Sequence, residues 1–383
     1  MSNNTLTNIM HKLLGRGLYS YRAMTPAVMT SNRDYQADAA RHGEVVNVPI
    51  STAKTATAVT PSGNRSDTLP GSSQKTVAIP LDQWYESEFA LTDKDKKEID
   101  KNEYFIPMDF HESVSALAEK AETYVSGLYV GSYNVVGTAS TTPYASDTSA
   151  SINCRKFLNQ NNVPKADRTM LVDNDAGANM LSLAAFSEAD KSSDPGLIID
   201  GEIGRKLGFR NLESNFIQTH TTGAAGTPLA NGAQTAASAT DTNGTTTLVV
   251  DGFTTKPSVG DVFSIAGNSQ TYTVLSSSTL SGTESTLTIQ PELAADVADN
   301  AALTFIGDHV ANMAYHRDAI TYAQRPLEGS DSSAADIEYT RDQVSGLSMR
   351  IEVQRAHKAD IWSIDMLYGG KMTRPEASVR LLG

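Results

Sequence analysis

The chain has 383 residues, with 31 Lys and Arg against 44 Asp and Glu, a net charge of −13 and a single cysteine, Cys154. The length exceeds what one hydrophobic core usually holds and predicts two or three domains. The acidic balance argues against a protein whose main task is gripping nucleic acid, and one cysteine excludes an internal disulfide or a cysteine-based metal cluster.

The opening stretch is mixed and amphipathic, without the apolar run of a secretory signal, so synthesis in a reducing cytoplasm is expected. Residues 1–43 begin with a short amphipathic helix carrying Leu6, Ile9, Met10, Leu13 and Leu14, followed by an irregular stretch. Lys12, Arg16 and Arg22 make this segment locally basic, against the sign of the whole chain. Two readings stand side by side: a solvated extension, and an arm that docks on a partner or faces an anionic interior.

From 44 to 103 the pattern turns to strands. VVNVPI (45–50) and TVAIPLDQWYESEFALT (76–92) frame a middle rich in Ser, Thr, Gly, Ala and Pro, which predicts an extended hairpin with a polar tip. A two-stranded ribbon alone is marginal in water, so it must lie on its own body or on a neighbour. The charged run DKDKKEIDKNE (93–103) leads onward.

The strongest helical signal is MDFHESVSALAEKAETYVSGLYVG (108–131). Phe110, Val114, Leu117, Ala118, Ala121, Val125 and Leu128 fall on one stripe at steps of three and four. Asp109 with Glu112 reads as a capping box, Pro107 stops backward extension, and Gly131 suits a left-handed C-cap. About 22 helical residues make a rod of roughly 33 Å. Glu112, Glu119, Lys120 and Glu122 interrupt it too often for a membrane span. A long helix flanked by β-rich sequence predicts a spine with sheets laid against it.

Beyond it come a loop to Ala150, a helix over 151–160, a buried strand MLVD (170–173) and a helix over 176–186. LIID (197–200), a short helix GEIGRKLGF (201–209) and FIQTH (216–220) follow, predicting a mixed α+β unit around a small central sheet. At Thr221 the composition shifts: Lys256 is the one basic residue over 221–306. TTLVV (246–250), DVFSIAG (261–267), QTYTVLSSS (270–278), STLTIQ (285–290) and ALTFIG (302–307) alternate between turn residues, which predicts a small inserted β-barrel or sandwich. Helical sequence is expected to resume in ANMAYHRDAITYAQRPLE (311–328), before the strands LSMRIEVQRA (347–356) and ADIWSIDMLYGGKMTRPEASVRLL (359–382).

No catalytic constellation emerges. On a helix, His309 and His316 would stand about 10.5 Å apart along the axis, too far for one zinc ion with bonds of roughly 2 Å. Asp173 and Asp175 in VDNDAG read as a strand-to-helix turn with an Asp or Asn cap rather than a metal pair. Gly201 and Gly204 lack the spacing of a dinucleotide fingerprint, and Cys154 reads as a buried thiol. The expectation is no catalytic residue, no cofactor, no metal and no enzyme activity.

Three stretches carry a resemblance: ANMAYHRDAITYAQRPLE (311–328), DIWSIDMLYGGKMTRPEASVRLLG (360–383) and, in support, GEIGRKLGFRNLESN (201–215). With the order of elements, they make the chain resemble tailed-bacteriophage major capsid proteins, specifically podovirus-type coats with an inserted β-domain. The resemblance implies the α+β Hong Kong phage capsid fold. Its parts would be an N-arm (1–43), an E-loop hairpin and return (44–103), a P-domain spine helix (104–137), an A-domain with mixed sheet and P-domain strands (138–220 and 308–383), and the insert (221–307). The spine-helix core would be Phe110, Val114, Leu117, Ala121, Val125 and Leu128, and the basic N-arm Lys12, Arg16 and Arg22.

The implied function is self-assembly into hexamers and pentamers of an icosahedral head around double-stranded DNA. The implied partners are further copies of the chain, a scaffolding protein, a portal protein, DNA in non-specific contact and a decoration protein, with no membrane. The implied location is the virion, with assembly in the host cytoplasm. Two alternatives remain: an encapsulin-type compartment shell of the same fold, and a carbohydrate-binding or adhesion protein built on the β-domain.

Overall fold

The computed structural model describes residues 3–35, 45–50, 75–92, 108–187, 203–236, 246–325, 327, 335–341 and 347–383. The hairpin tip, the charged run 93–103, Pro107 and LIID (197–200) lie outside the described residues.

Helix α1 (Asn3–Met24) is longer than its sequence suggests. Met10, Leu13, Leu14, Leu18 and Tyr21 are all buried, so the apolar stripe continues past the expected irregular point and lies against the body of the protein. A Cβ on Gly17 would meet the Phe110 ring at 3.0 Å and Val114 at 3.3 Å, which is how closely α1 crosses the central helix. The short helix α2 (Pro26–Thr30) follows. Strands β1 (Val45–Ile50) and β2 (Lys75–Pro80) pair antiparallel with Val46 opposite Ile79 and Val48 opposite Val77. Val46, Val48, Ile79 and Leu81 bury their side chains with Ala323, so the base of this hairpin rests on its own chain.

Strand β3 (Gln83–Thr92) leaves the hairpin and joins another sheet. Helix α3 (Met108–Gly127) runs on as a 3-10 turn over Leu128–Gly131. Asp109 stands within the first turn of α3 rather than ahead of it. Gly131 does not take a left-handed conformation; space constrains it, since a Cβ there would lie 3.1 Å from the Met372 side chain. Strand β4 (Val135–Val136), helix α4 (Ser149–Gln160), strand β5 (Arg168–Val172), and helices α5 (Asn174–Ser182) and α6 (Ala184–Ser187) come next.

The expected helix at 201–209 is instead a hairpin of β6 (Arg205–Lys206) and β7 (Phe209–Glu213). Leu207 and Gly208 take φ of 55° and 91°, and two positive-φ residues between paired strands make the tight hairpin turn that matches strand twist. Strand β8 (Thr219–His220) then leads into β9 (Ala225–Ala230), β10 (Thr247–Thr255), β11 (Val262–Ile265), β12 (Thr271–Ser277), β13 (Ser285–Gln290) and β14 (Leu303–Phe305). These six, β9 to β14, form one sheet ordered β14-β11-β12-β13-β10-β9. Its ends meet, because Ala230 N–H donates to the Ala301 carbonyl at 2.9 Å and Leu229 bridges to Ala302. The barrel so closed has its own core, including Leu248, Val250, Phe253, Phe263, Tyr272, Val274, Leu287 and Ile289.

The stretch expected as helix at 311–328 is two strands, β15 (His309–His316) and β16 (Ile320–Arg325), joined by a 3-10 turn. Residues 311–316 are buried on both faces, and a strand buried on both faces loses the alternation that would identify it. The remaining strands are β17 (Ala335–Arg341), β18 (Ser348–Ala356), β19 (Ala359–Met372) and β20 (Ser378–Leu382).

The architecture is α+β. A mixed sheet orders β4-β20-β15-β5-β7-β6, with β8 also on β15, and is parallel only at β20/β4 and β5/β7. A second, antiparallel sheet centres on β19, which pairs with β3 along one side and with β18 and then β16 along the other, while β17 pairs with β18. Helices α1 and α3 pack on this second sheet, where Phe89 stacks on Trp362 with ring centroids 6.1 Å apart and meets Phe110 edge-on.

Candidate functional site

The central helix organises the interior. Phe110, Val114, Leu117, Ala121 and Val125 are buried, and Leu128, on the 3-10 turn, is partly buried against the same core. Glu122 lies on the same stripe and is also fully buried. Its carboxylate accepts the Ala27 and Val28 backbone N–H groups at 2.9–3.3 Å and the Ser214 hydroxyl at 3.2 Å. One side chain thereby ties α2 and the loop after β7 to the central helix. Burial pushes its pKa up to about 7, and those three donors oppose the rise.

A second buried polar centre joins the barrel to the body. Asp261, at 0 % exposure, accepts the backbone N–H groups of Gly223, Ala224 and Ser258 and faces His220 Nε2 at 2.7 Å. The other ring nitrogen of His220 lies 2.9 Å from the Tyr129 hydroxyl. Arg380 donates to the carbonyls of Gly260, Tyr129 and Ser132 and lies over the Tyr129 ring; burial lowers its pKa to about 10. Thr271 and Thr273 add hydroxyl bonds to the Tyr133 and Val130 carbonyls at 2.7 and 2.9 Å. Such a network, in which Arg380 Nε is the one donor of that side chain left buried without a partner among the described residues, fixes geometry more than it adds stability.

The third feature is the face of the second sheet away from the helices. Register places Glu86, Asp365, Arg350 and Tyr339 in one row across β3, β19, β18 and β17. Arg350 grips Asp365 through two bonds of 2.8 and 2.6 Å, and Trp84 Nε1–H donates to the same carboxylate at 2.8 Å. Trp84 is 61 % exposed and Tyr339 44 %, whereas Asp365 is 3 % exposed. The aromatic rings therefore stand on the surface above an ion pair that is already shielded from water.

The histidines singled out in the sequence sit at opposite ends of β15. The His309 ring lies 5.2 Å from that of His220, its Nδ1 is 2.8 Å from the Gly307 carbonyl, and burial lowers its pKa to about 4. His316 Nδ1 accepts the Asp318 N–H at 3.2 Å and shapes the turn between β15 and β16. Among the described residues no group of three His, Cys, Asp or Glu could hold a metal ion. Asp173 occupies the N-cap position of α5 without a side-chain cap bond. Cys154 is buried on α4, and burial pushes its thiol up to about 12. Lys12, Arg16 and Arg22 all lie on α1, with Arg16 exposed and Arg22 half-buried. No helix among the described residues is long and apolar enough to cross a membrane.

Glu122, Asp261, Asp365 and Arg380 were not legible as functional residues. The signal that could have found three of them is a lone charge within an apolar pattern: Glu122 between Ala121 and Val125, Asp365 in WSIDML, Arg380 in SVRLL.

No family model matches the chain, and no curated protein matches it. Among solved structures it is similar to one of Mycobacterium phage Che8, at 17 % identity over 93 % of this chain and 90 % of that one, with a TM-score of 0.48. It is also similar to the capsid of cyanophage P-SCSP1u, at 12 % identity over 92 % and 86 % of the two chains, TM-score 0.46, and to a virus-like particle from Pyrococcus furiosus, at 8 % identity over 98 % of each chain, TM-score 0.43.

Proposed function

We propose that this chain is the major structural subunit of a tailed-phage head, acting by self-assembly into hexamers and pentamers around double-stranded DNA and performing no catalysis. The observation that carries the reading is the second sheet. Helices cover one of its faces; the other presents Trp84 and Tyr339 above the shielded Arg350–Asp365 pair, and its edge strand β3 is ten residues long. Among the described residues β3 pairs with β19 and with no other strand. A long edge strand beside exposed aromatic side chains suits lateral packing against another copy, and shell contacts of the obligate kind commonly bury roughly 2,000 Å² or more.

The remaining parts fit the same role. The β1–β2 hairpin is the E-loop base, α3 the P-domain spine, the mixed sheet the A-domain, and the barrel the insert. The net charge of −13 suits a wall around packed DNA, since a strongly basic wall would hold phosphates and resist filling. Scaffolding, portal and decoration proteins are the further partners of this reading, and the virion is its location.

Size-exclusion chromatography and negative-stain microscopy of the expressed chain, alone and with a scaffolding protein, test it. Closed shells or capsomers support the proposal. Shells found filled with an enzyme cargo and no DNA in the native host would reassign the chain to a compartment. A compact monomer at every concentration, binding glycans through the barrel, would overturn both.

A further inference from the structure

A cleft of about 190 Å³ opens at one end of the mixed sheet, lined by Arg168, Arg205, Arg210 and Arg317 with Met29, Thr30, Asp167 and Thr169. Four arginines lining so small a space stand out in a chain that is acidic overall. Arg168 is 2 % exposed, with its Nε and Nη2 held by the Pro164 and Val163 carbonyls at 2.7 and 2.6 Å. Arg317 forms an ion pair with Asp34. Asp167 is the second carboxylate present, so the guanidiniums outnumber the carboxylates.

Arg205 and Arg210 face each other directly across the β6–β7 hairpin. Like charges at directly opposed positions destabilise a strand pair. Both side chains are exposed, and among the described residues neither enters an ion pair. The turn that opposes them adds a second unfavourable element, because Leu207 is held at a φ of 55°. Two local costs at one hairpin hold Arg205 and Arg210 opposite each other beside the same cleft, and an anion bound there would offset the charge opposition.

We infer that this arginine cleft binds an oxyanion of the phosphate class, either a free polyphosphate or the phosphodiester of a nucleic acid. Arginine suits this chemistry because its planar fork offers paired donors to two oxygens and keeps its charge at any physiological pH. The inference rests on the hairpin and the cleft and does not depend on how the chain assembles.

The test is titration of the full chain with sodium pyrophosphate, and separately with a short oligothymidylate, by calorimetry and thermal shift at matched ionic strength. Pyrophosphate or oligonucleotide is expected to bind saturably and raise Tm. The double substitution R205Q/R210Q is expected to weaken that binding at least about ten-fold, while Lys256→Gln, exposed on the barrel, leaves it unchanged. In anion-free buffer R205Q/R210Q should unfold at the same temperature or higher, because the opposed charges are gone; this separates lost binding from lost fold. Tighter capture of the oligonucleotide assigns the phosphodiester as the source, and capture of pyrophosphate alone assigns the free ion. Absence of saturable binding to both probes, or equal loss with Lys256→Gln, overturns the inference.

Discussion

The carboxylate of Glu122 lies 2.9 and 3.0 Å, through its two oxygens, from the backbone nitrogen of Ala27, a residue 95 positions away in sequence. A buried acid thus holds the N-terminal helices onto the central one, and its surroundings include the Tyr21 and Tyr315 hydroxyls as well as Ser214.

Glu122's contribution to stability should therefore fall as pH rises from about 4.5 to about 7, against the rise that His309, lowered to about 4 by burial, contributes over much of the same span. In the unfolded chain Glu122 titrates near 4.5, and in the folded protein burial raises this to about 7. Between those values the folded state keeps a proton that the unfolded state has lost, so Glu122's contribution is complete below pH 4.5, declines up to about pH 7 and levels off above. The interval is equivalent to about 3 kcal/mol at most. Glu122→Gln should remove this contribution, so that its Tm climbs relative to the parent's as pH goes from 5 to 7 and the difference is constant by pH 8; a difference that does not change with pH would show that Glu122 does not titrate in this range.

Gly369→Ala should detach the hairpin base. A Cβ at Gly369 would overlap the Pro80 carbonyl oxygen, a backbone atom that cannot swing aside. The β1–β2 pair should lose its seat on β16 and β19, with a stability loss on the order of 1–3 kcal/mol and faster proteolysis near 45–80. Unchanged protease resistance would mean the hairpin is held elsewhere.

Arg350→Met should destabilise the fold by about 3 kcal/mol or more, because it strands the Asp365 carboxylate at 3 % exposure with the Trp84 indole as its remaining side-chain donor. The double substitution R350M/D365L should recover much of that loss. Trp84→Ala should cost far less in urea unfolding yet impair shell formation, since the ring is 61 % exposed. Normal shells from Trp84→Ala would remove this face from the contact.

Val125→Asp should yield no soluble folded protein, an unpaired charge being placed at 0 % exposure. Leu117→Ala should fold but lose about 2–4 kcal/mol in urea unfolding. Deleting 55–72 should leave a foldable chain, because the hairpin base has its own contacts with Ala323, but one that assembles poorly. Normal yield of the first variant or normal shells from the last would count against the spine and the hairpin respectively.

By itself the sequence determined the α+β class and the long central helix, because period-3.6 and period-2 patterns survive wherever an element buries a single face. Phe110 to Val125 carry the first pattern, and Ser285, Leu287 and Ile289 the second. Tertiary structure alone decided the rest. Strand β15 is buried on both faces and so has no period to read. The β6–β7 hairpin is set by two positive-φ residues, of which only Gly208 announces itself in the sequence. The pairing of Glu122 with Ala27, of His220 with Asp261 and of Arg205 with Arg210 depends on which backbone segments the fold brings together. Hydrophobic patterning says which side of an element is dry, but not which distant group waits there to satisfy a buried charge.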